Sequence, residues 1–403
     1  MSSRNWRVQA HYSAFYAAQF VLLGVQLPFL SGWLAREGCS APEIGWLSGL
    51  SLGARLLFGP AVAFWADRDG NHPRALRLVS LLFGAGALGL ALFGGKPLIA
   101  LSAVAVLWSF GLLVPLSDTA ILRADRRGDL HYGEVRAAGS AAFLLTNIAA
   151  GFVIARTSID IAVVIMAFAG MATFLVSATL PLGAPSPTST HSPDPLAQTG
   201  ERRGDERWRE AATLMTTPKF LLFLATVGLI QGSHAAYYSF SILHWTGLGY
   251  AATTIGFLWA TGVIAEIFVL TQVRGLVRRI GPEVLIIIGG AGAAARWLLT
   301  GSEPPLPILF IVQTLHALSF AAAYLGAVEY VDRSLPKRLT NTAMTLMSTT
   351  GVGAVTGLAT IACGYLYEAN GAKAIYALTA AMAFVGAAGG FVRSRRAAAA
   401  VTE

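Results

Sequence analysis

Of the 403 residues, 55% are apolar and only 12% are charged, giving a mean hydropathy of +0.61. That balance excludes an ordinary soluble domain and makes lipid the expected solvent. The net charge of +8 does not point to nucleic acid, because the Lys and Arg residues fall in short segments between apolar runs and form no single basic patch.

A hydrocarbon core about 30 Å thick takes ~20 apolar residues per helix. Twelve stretches of that kind recur, at 11–34, 42–66, 75–95, 98–122, 136–158, 160–182, 219–243, 252–273, 283–300, 305–330, 341–366 and 371–392. Runs such as 20–34 and 99–116 are apolar on nearly every side, unlike the period-two strands of a β-barrel. The first stretch follows Arg4 and Arg7, is long enough to span and lacks a small-residue cleavage site, so it reads as a span and not as a signal peptide. With both termini cytoplasmic, 22 of the 29 Lys and Arg residues lie in cytoplasmic segments, four in external loops (Arg36, Lys96, Arg156, Lys373) and three at membrane depth (Arg55, Arg136, Arg296). This inside preference favours an even number of spans, since one missed helix would invert every later loop.

Residues 183–217 interrupt the pattern with Pro, Ser and Thr and then mixed charge. They read as a cytoplasmic linker between an N-terminal six-helix bundle, 1–182, and a C-terminal one, 218–403. At a fixed offset of 211 residues Ile44-Gly45 meets Ile255-Gly256, Arg55 meets Glu266, Arg68 meets Arg279 and Gly70 meets Gly281. Six spans per half make this a parallel repeat with its axis along the membrane normal. The expected fold is therefore an all-α integral membrane protein, with twelve transmembrane helices in two six-helix parallel pseudo-repeats around a central cavity.

The loop after the second span, Ala63-Phe-Trp-Ala-Asp67-Arg68-Asp69-Gly70-Asn-His-Pro-Arg74, resembles the signature of the major facilitator superfamily. There the acidic residue and the basic cluster tie helix ends together on the cytoplasmic face. The resemblance implies gate or structural roles for Asp67, Arg68 and Gly70, although Ala63 replaces the usual first glycine and Asn71 a basic residue. Pro115-Leu-Ser-Asp118-Thr-Ala, Tyr132-Gly-Glu-Val-Arg136-Ala-Ala-Gly139-Ser140, Gln231-Gly-Ser-His234-Ala-Ala-Tyr237-Tyr238, Ile255-Gly-Phe-Leu-Trp259, Ala265-Glu266, Arg296-Trp297 and Gln313-Thr-Leu-His316-Ala resemble, more narrowly, the 3-phenylpropionate permease family. That family is related to lactose permease and to nucleoside proton symporters, so fold does not settle cargo.

Ionised side chains at membrane depth are costly unless paired or wet, which singles out a few residues. Asp118 and Arg136 can neutralise each other across the hairpin of the fourth and fifth spans, as a structural ion pair or as a substrate site. An acidic residue and an arginine at the same separation bind the sugar in lactose permease, and this resemblance implies the substrate role. Glu266, Arg296 and His316 stand one each on spans eight, nine and ten and imply a shared wet cavity. Arg296 and His316 have the separation of an arginine and a histidine in the lactose permease proton-coupling cluster. Ser319 stands where that permease has its proton-carrying carboxylate, and Gln313 where it has a lysine, so the proton carrier must differ. Glu266 is the first candidate, with His316 and His234 as relays or alternatives. Arg55 is open between two readings, a partner of Glu266 across the cavity or a lock between spans. Gln26 before Pro28 and Gln231 beside Gly232 suggest breaks in the first helix of each half. Arg296, Gln231, Tyr237 and Trp259 complete the expected substrate-binding set, the last two ahead of Trp108, Tyr238 and Trp245, which read as interfacial anchors.

No phosphate loop, paired cysteine motif or His-Glu-x-x-His is present, so ATP-driven and metalloenzyme readings have no residues to carry them. Cys39 and Cys363 read as structural. The expectation is a monomeric inner-membrane symporter without cofactor, its partners a small molecule, a proton and lipid. It would carry a small aromatic carboxylate by alternating access. A sugar or nucleoside symporter is the alternative, and a non-transporting membrane sensor is the reading from a different class.

Overall fold

Lipid offers the backbone no hydrogen-bond partners, so a chain this apolar must satisfy its amides within helices or closed barrels. The computed structural model, which describes residues 6–67, 71–181, 209–272, 280–336 and 339–402, shows helices and no strand among them. The first six are α1 (Trp6–Arg36), α2 (Ala41–Asp67), α3 (His72–Leu92), α4 (Lys96–Arg126), α5 (Tyr132–Arg156) and α6 (Asp160–Thr179). After them come α7 (Pro218–Gly232), α8 (Ala235–Gly247), α9 (Ala252–Gln272), α10 (Pro282–Gly301), α11 (Leu306–Thr314), α12 (Ala323–Ser334), α13 (Thr340–Leu346) and α14 (Ala354–Thr402). Most of the expected linker, together with Arg68 and Gly70 of the gate motif, lies outside the described residues. Asp67 closes α2.

Among the described residues, eleven helical stretches are long and apolar enough to cross a membrane. The last, Thr342–Arg395, is 54 residues long, about 80 Å at 1.5 Å per residue and far more than one crossing needs. It is broken at Gly371, whose φ of 75° and ψ of −171° only glycine adopts without strain. Pro28 makes no such break. α1 runs continuously from Trp6 to Arg36, so the expected interruption of the first helix is corrected: a single missing amide is tolerated inside a packed bundle. In the second half an interruption does occur, at Ser233 and His234 between α7 and α8. A further one follows α11, where His316 leads into a π-helical turn, Ala317–Ala322.

By their contacts the described residues form two compact units, one from Met1–Ser189 with Tyr238–Ala260, the other from Thr190–Tyr237 with Thr261–Glu403. In the first, α1 packs on α5 and α6, α3 on α4 and α6, and α2 on α4. Small residues set the spacing, as is usual where lipid removes a hydrophobic drive between helices. A Cβ on Gly84 would lie 2.9 Å from the Gly170 carbonyl, and one on Gly24 2.9 Å from that of Phe143. In the second, α10 and α14 pack along each other, and α14 also lies on α7. Phe220, Phe223, Val227, Ile230, Ile286, Ala327, Val331 and Met347 form its core. Arg393, buried near the end of α14, lies 4.9 Å from the centre of the Phe223 ring and 4.0 Å from that of Tyr330. This cation–π contact ties the chain end to α7 and α12.

Candidate functional site

In the first unit a polar cluster joins α1, α4 and α5. Tyr16 donates from Oη to Asp118 Oδ1 at 2.9 Å, and Arg136 Nη1 donates to the same Tyr16 oxygen. Arg136 and Asp118 are themselves 3.7 Å apart, so the phenol bridges an ion pair that touches only loosely. The guanidinium also lies 5.7 Å from the centre of the Tyr16 ring and 5.9 Å from that of Phe20. One turn along, Gln19 and Ser117 join α1 to α4 at 3.1 Å. Arg136 is 48% exposed in its side chain and Asp118 27%, leaving both open to a ligand. Sequence reasoning paired Asp118 with Arg136 and missed Tyr16. The phenol's one signal was its hydroxyl inside a mostly apolar first span, three residues before Gln19.

The second unit holds a larger cluster around Arg296, which is completely buried on α10. Its Nη1 lies 2.8 Å from His316 Nδ1 and donates to Ser319 Oγ at 3.3 Å. Its Nη2 donates to Gln313 Oε1 at 2.8 Å. The rings of Tyr237 and Trp297 lie against the guanidinium, each centre 4.5 Å from it. On its other side His316 reaches Glu266 with Nε2 at 3.3 Å from Oε2. An arginine can only donate, so Nδ1 of His316 must accept, and its proton sits on Nε2 facing Glu266. The result is a directional chain, Arg296 to His316 to Glu266.

His234, in the break between α7 and α8, extends this chain through Ser319 Oγ at 3.3 Å and anchors to the Gln231 carbonyl at 3.0 Å. Its ring stands 5.7 Å from that of His316. Trp297 donates to Ser233 Oγ at 2.8 Å and so pins the same break. Gln231 donates to the Phe320 carbonyl at 3.2 Å. Gln231 Oε1 and Gln313 Nε2 are buried without a hydrogen-bond partner among the described residues, a mark of a polar site built to take water or ligand. Glu266, Arg296, His316, His234, Tyr237 and Gln231 thus gather in one place. Trp259 belongs to the first unit and stacks on Tyr238 at 6.0 Å. Arg55 leans on α4 at Gly111, near Gly59 of its own helix, with no hydrogen bond or ion pair among the described residues, so neither of its two readings has a polar contact to rest on. No cluster of metal-ligand type occurs among the described residues.

Long apolar helices carrying buried charge networks define a multi-pass membrane protein with a polar functional site, and its family and relatives make it a transporter and not an enzyme. The chain belongs to the MFS_1-like family of the major facilitator superfamily, whose profile matches residues 9–378. It is 29% identical over 374 residues to the "Probable 3-phenylpropionic acid transporter" of Escherichia coli (strain K12), covering 91% of this chain and 92% of that one. It is also 29% identical over 389 residues to the maltose permease of Geobacillus stearothermophilus, covering 93% and 92%. Among solved structures the nucleoside transporter NupG superposes with a TM-score of 0.78 at 16% identity, covering 96% of this chain and 98% of that one. That likeness shows the fold alone.

Proposed function

We propose that the protein is a proton-coupled symporter of a small aromatic carboxylate. The observation that carries this reading is the hydrogen-bonded chain from Arg296 through His316 to Glu266. A second proton on His316 would turn Nδ1 into a donor facing the donors of Arg296, so the chain favours Glu266 as the group that takes the proton. His316 then orients Glu266 through its Nε2 proton, and His234 stands one hydroxyl further along the same proton-coupling network. Once protonated, Glu266 no longer offers His316 a full negative charge, and occupancy of the site is linked to the proton.

Asp118, Arg136, Arg296, Gln231, Tyr237 and Trp259 are the proposed substrate contacts, with Tyr16 holding Arg136 in place. Counting the long last stretch as two crossings gives twelve spans, and two six-helix bundles about a central cavity would rock around the bound substrate. Asp67, Arg68 and Gly70 are the proposed cytoplasmic gate. The reading places a monomer in the inner membrane with both termini cytoplasmic. The 29% identity to a relative named for 3-phenylpropionic acid supports the carboxylate. The equal identity to a maltose permease favours a sugar as the second reading.

Liposomes with an imposed inward proton gradient separate the two. Accumulation of 3-phenylpropionate, abolished by Glu266→Gln while exchange at equal pH persists, is the expected outcome. Saturable maltose uptake that aromatic acids do not inhibit would replace the carboxylate with the sugar.

A further inference from the structure

Three arginines stand at membrane depth, and two of them are already engaged. Arg136 is held by Tyr16 and Asp118, and Arg296 by His316, Gln313 and Ser319. Arg55 has neither a hydrogen bond nor an ion pair among the described residues. It lies twelve residues from Glu43 and twelve from Asp67 on α2, about 18 Å from each at 1.5 Å per residue. An arginine side chain cannot snorkel to either surface from there. Its alkyl chain and Nη1 press on Gly111, where any side chain would collide with Arg55. Gly111 is itself the midpoint of α4, so the two helices form a slot that keeps the guanidinium at mid-membrane.

Charge and hydrogen bonding both leave this slot short of an anion. Asp118 answers Arg136, which leaves Arg55 as the uncompensated cation at depth in the first unit. One turn before Gly111, Trp108 has its indole Nε1 buried without a hydrogen-bond partner among the described residues. Its ring packs edge-on to Phe58 at 6.3 Å. The Arg55 guanidinium of α2 abuts α4 at Gly111, and the unpartnered indole N–H stands three residues earlier on that helix, so both are donors without an acceptor.

We propose that Arg55, with the Trp108 indole one turn before its Gly111 contact on α4, binds the carboxylate of the transported substrate in the middle of the first unit. The proposal rests on the carboxylate reading above and supplies its specificity-determining residue. A monoanion is the charge that restores neutrality there, and the aromatic pair offers the apolar surface that an aryl tail needs.

The test is binding of 3-phenylpropionate and of its neutral isostere, 3-phenylpropionamide, to the purified full-length protein. Wild type is compared with Arg55→Gln, Arg55→Lys and Trp108→Phe. The wild type is expected to prefer the acid at least tenfold. Arg55→Gln should lose that preference with the amide affinity unchanged, Arg55→Lys should keep part of it, and Trp108→Phe should weaken the acid more than the amide. The ligand-free unfolding midpoint of Arg55→Gln should stay level or rise, because an unpaired charge has been removed from mid-membrane. Equal loss of acid and amide, a fall in the ligand-free midpoint, or wild-type preference for the acid in Arg55→Gln would each overturn the role of Arg55. If the wild type binds neither compound, the carboxylate reading fails and this assignment falls with it.

Discussion

At the residue scale, the fate of Arg296 depends on acceptors, since a guanidinium with no exposed surface has no water to turn to. Gln313→Leu removes the oxygen facing Nη2, and hydrogen bonds to charged groups are worth about 1.5–3 kcal/mol. A drop in the unfolding midpoint in detergent is expected, larger than that of Gln231→Leu, whose amide donates only to a neutral carbonyl. Tyr16→Phe makes a different prediction. The ring keeps its stacked contact with Phe20 at 4.8 Å, but the bridge between Arg136 and Asp118 disappears. Stability should change little, because that pair is partly exposed and screened, while substrate KM should rise by about tenfold, the worth of roughly one charge-assisted hydrogen bond. These two variants divide residues that hold the fold from residues that hold the ligand. Asp118, Arg136, Glu266, Arg296 and His316 were legible in the sequence because a charged or histidine side chain inside a long apolar run needs an explanation. Tyr16, Gln313 and Ser319 were not legible as partners, since a phenol, an amide and a hydroxyl are common in spans and only proximity makes them acceptors.

At the element scale, helix crossings depend on missing side chains. Gly84→Val would drive a methyl group into the Gly170 backbone, with the first added atom already at 2.9 Å from its carbonyl. Overpacking of this kind costs about 1–3 kcal/mol, which should show as reduced yield and a lower unfolding midpoint. Gly94→Ala is the control, because a Cβ there meets nothing within 4 Å. The helix breaks show how far pattern reading reaches. Gln231 beside Gly232 marked a real interruption, completed by Ser233 and His234, and it is the break that turns His234 toward Ser319. Gln26 before Pro28 carried the same signal, yet α1 stays continuous. The difference is tertiary: neighbouring helices decide whether a weakened backbone bond opens or is held. The π-helical turn after His316 had no visible sequence signal at all, although irregular turns of this type often accompany functional side chains.

At the scale of the whole molecule, orientation is open to a direct check. Burial and the nearby Glu43 push the Cys39 thiol up, and Cys363 is buried as well, so both should be poorly reactive toward a membrane-impermeant maleimide at neutral pH. Against that quiet background, a cysteine at Gly94, between α3 and α4, should label in intact cells. One at Arg127, between α4 and α5, should label only after permeabilisation. The reverse pattern would invert the proposed topology.

The sequence by itself determined that this chain lives in lipid, that it crosses many times, and which charges fall inside the apolar runs. Bilayer thickness and the cost of an unsatisfied amide leave a chain of this composition few other options. Only the tertiary structure decided which of those charges are answered. Hydrogen bonding is a matter of a few tenths of an ångström between residues far apart in the chain, such as Tyr16 and Asp118 or Gln313 and Arg296. Helical periodicity fixes the face on which a side chain stands, not the atom it will meet.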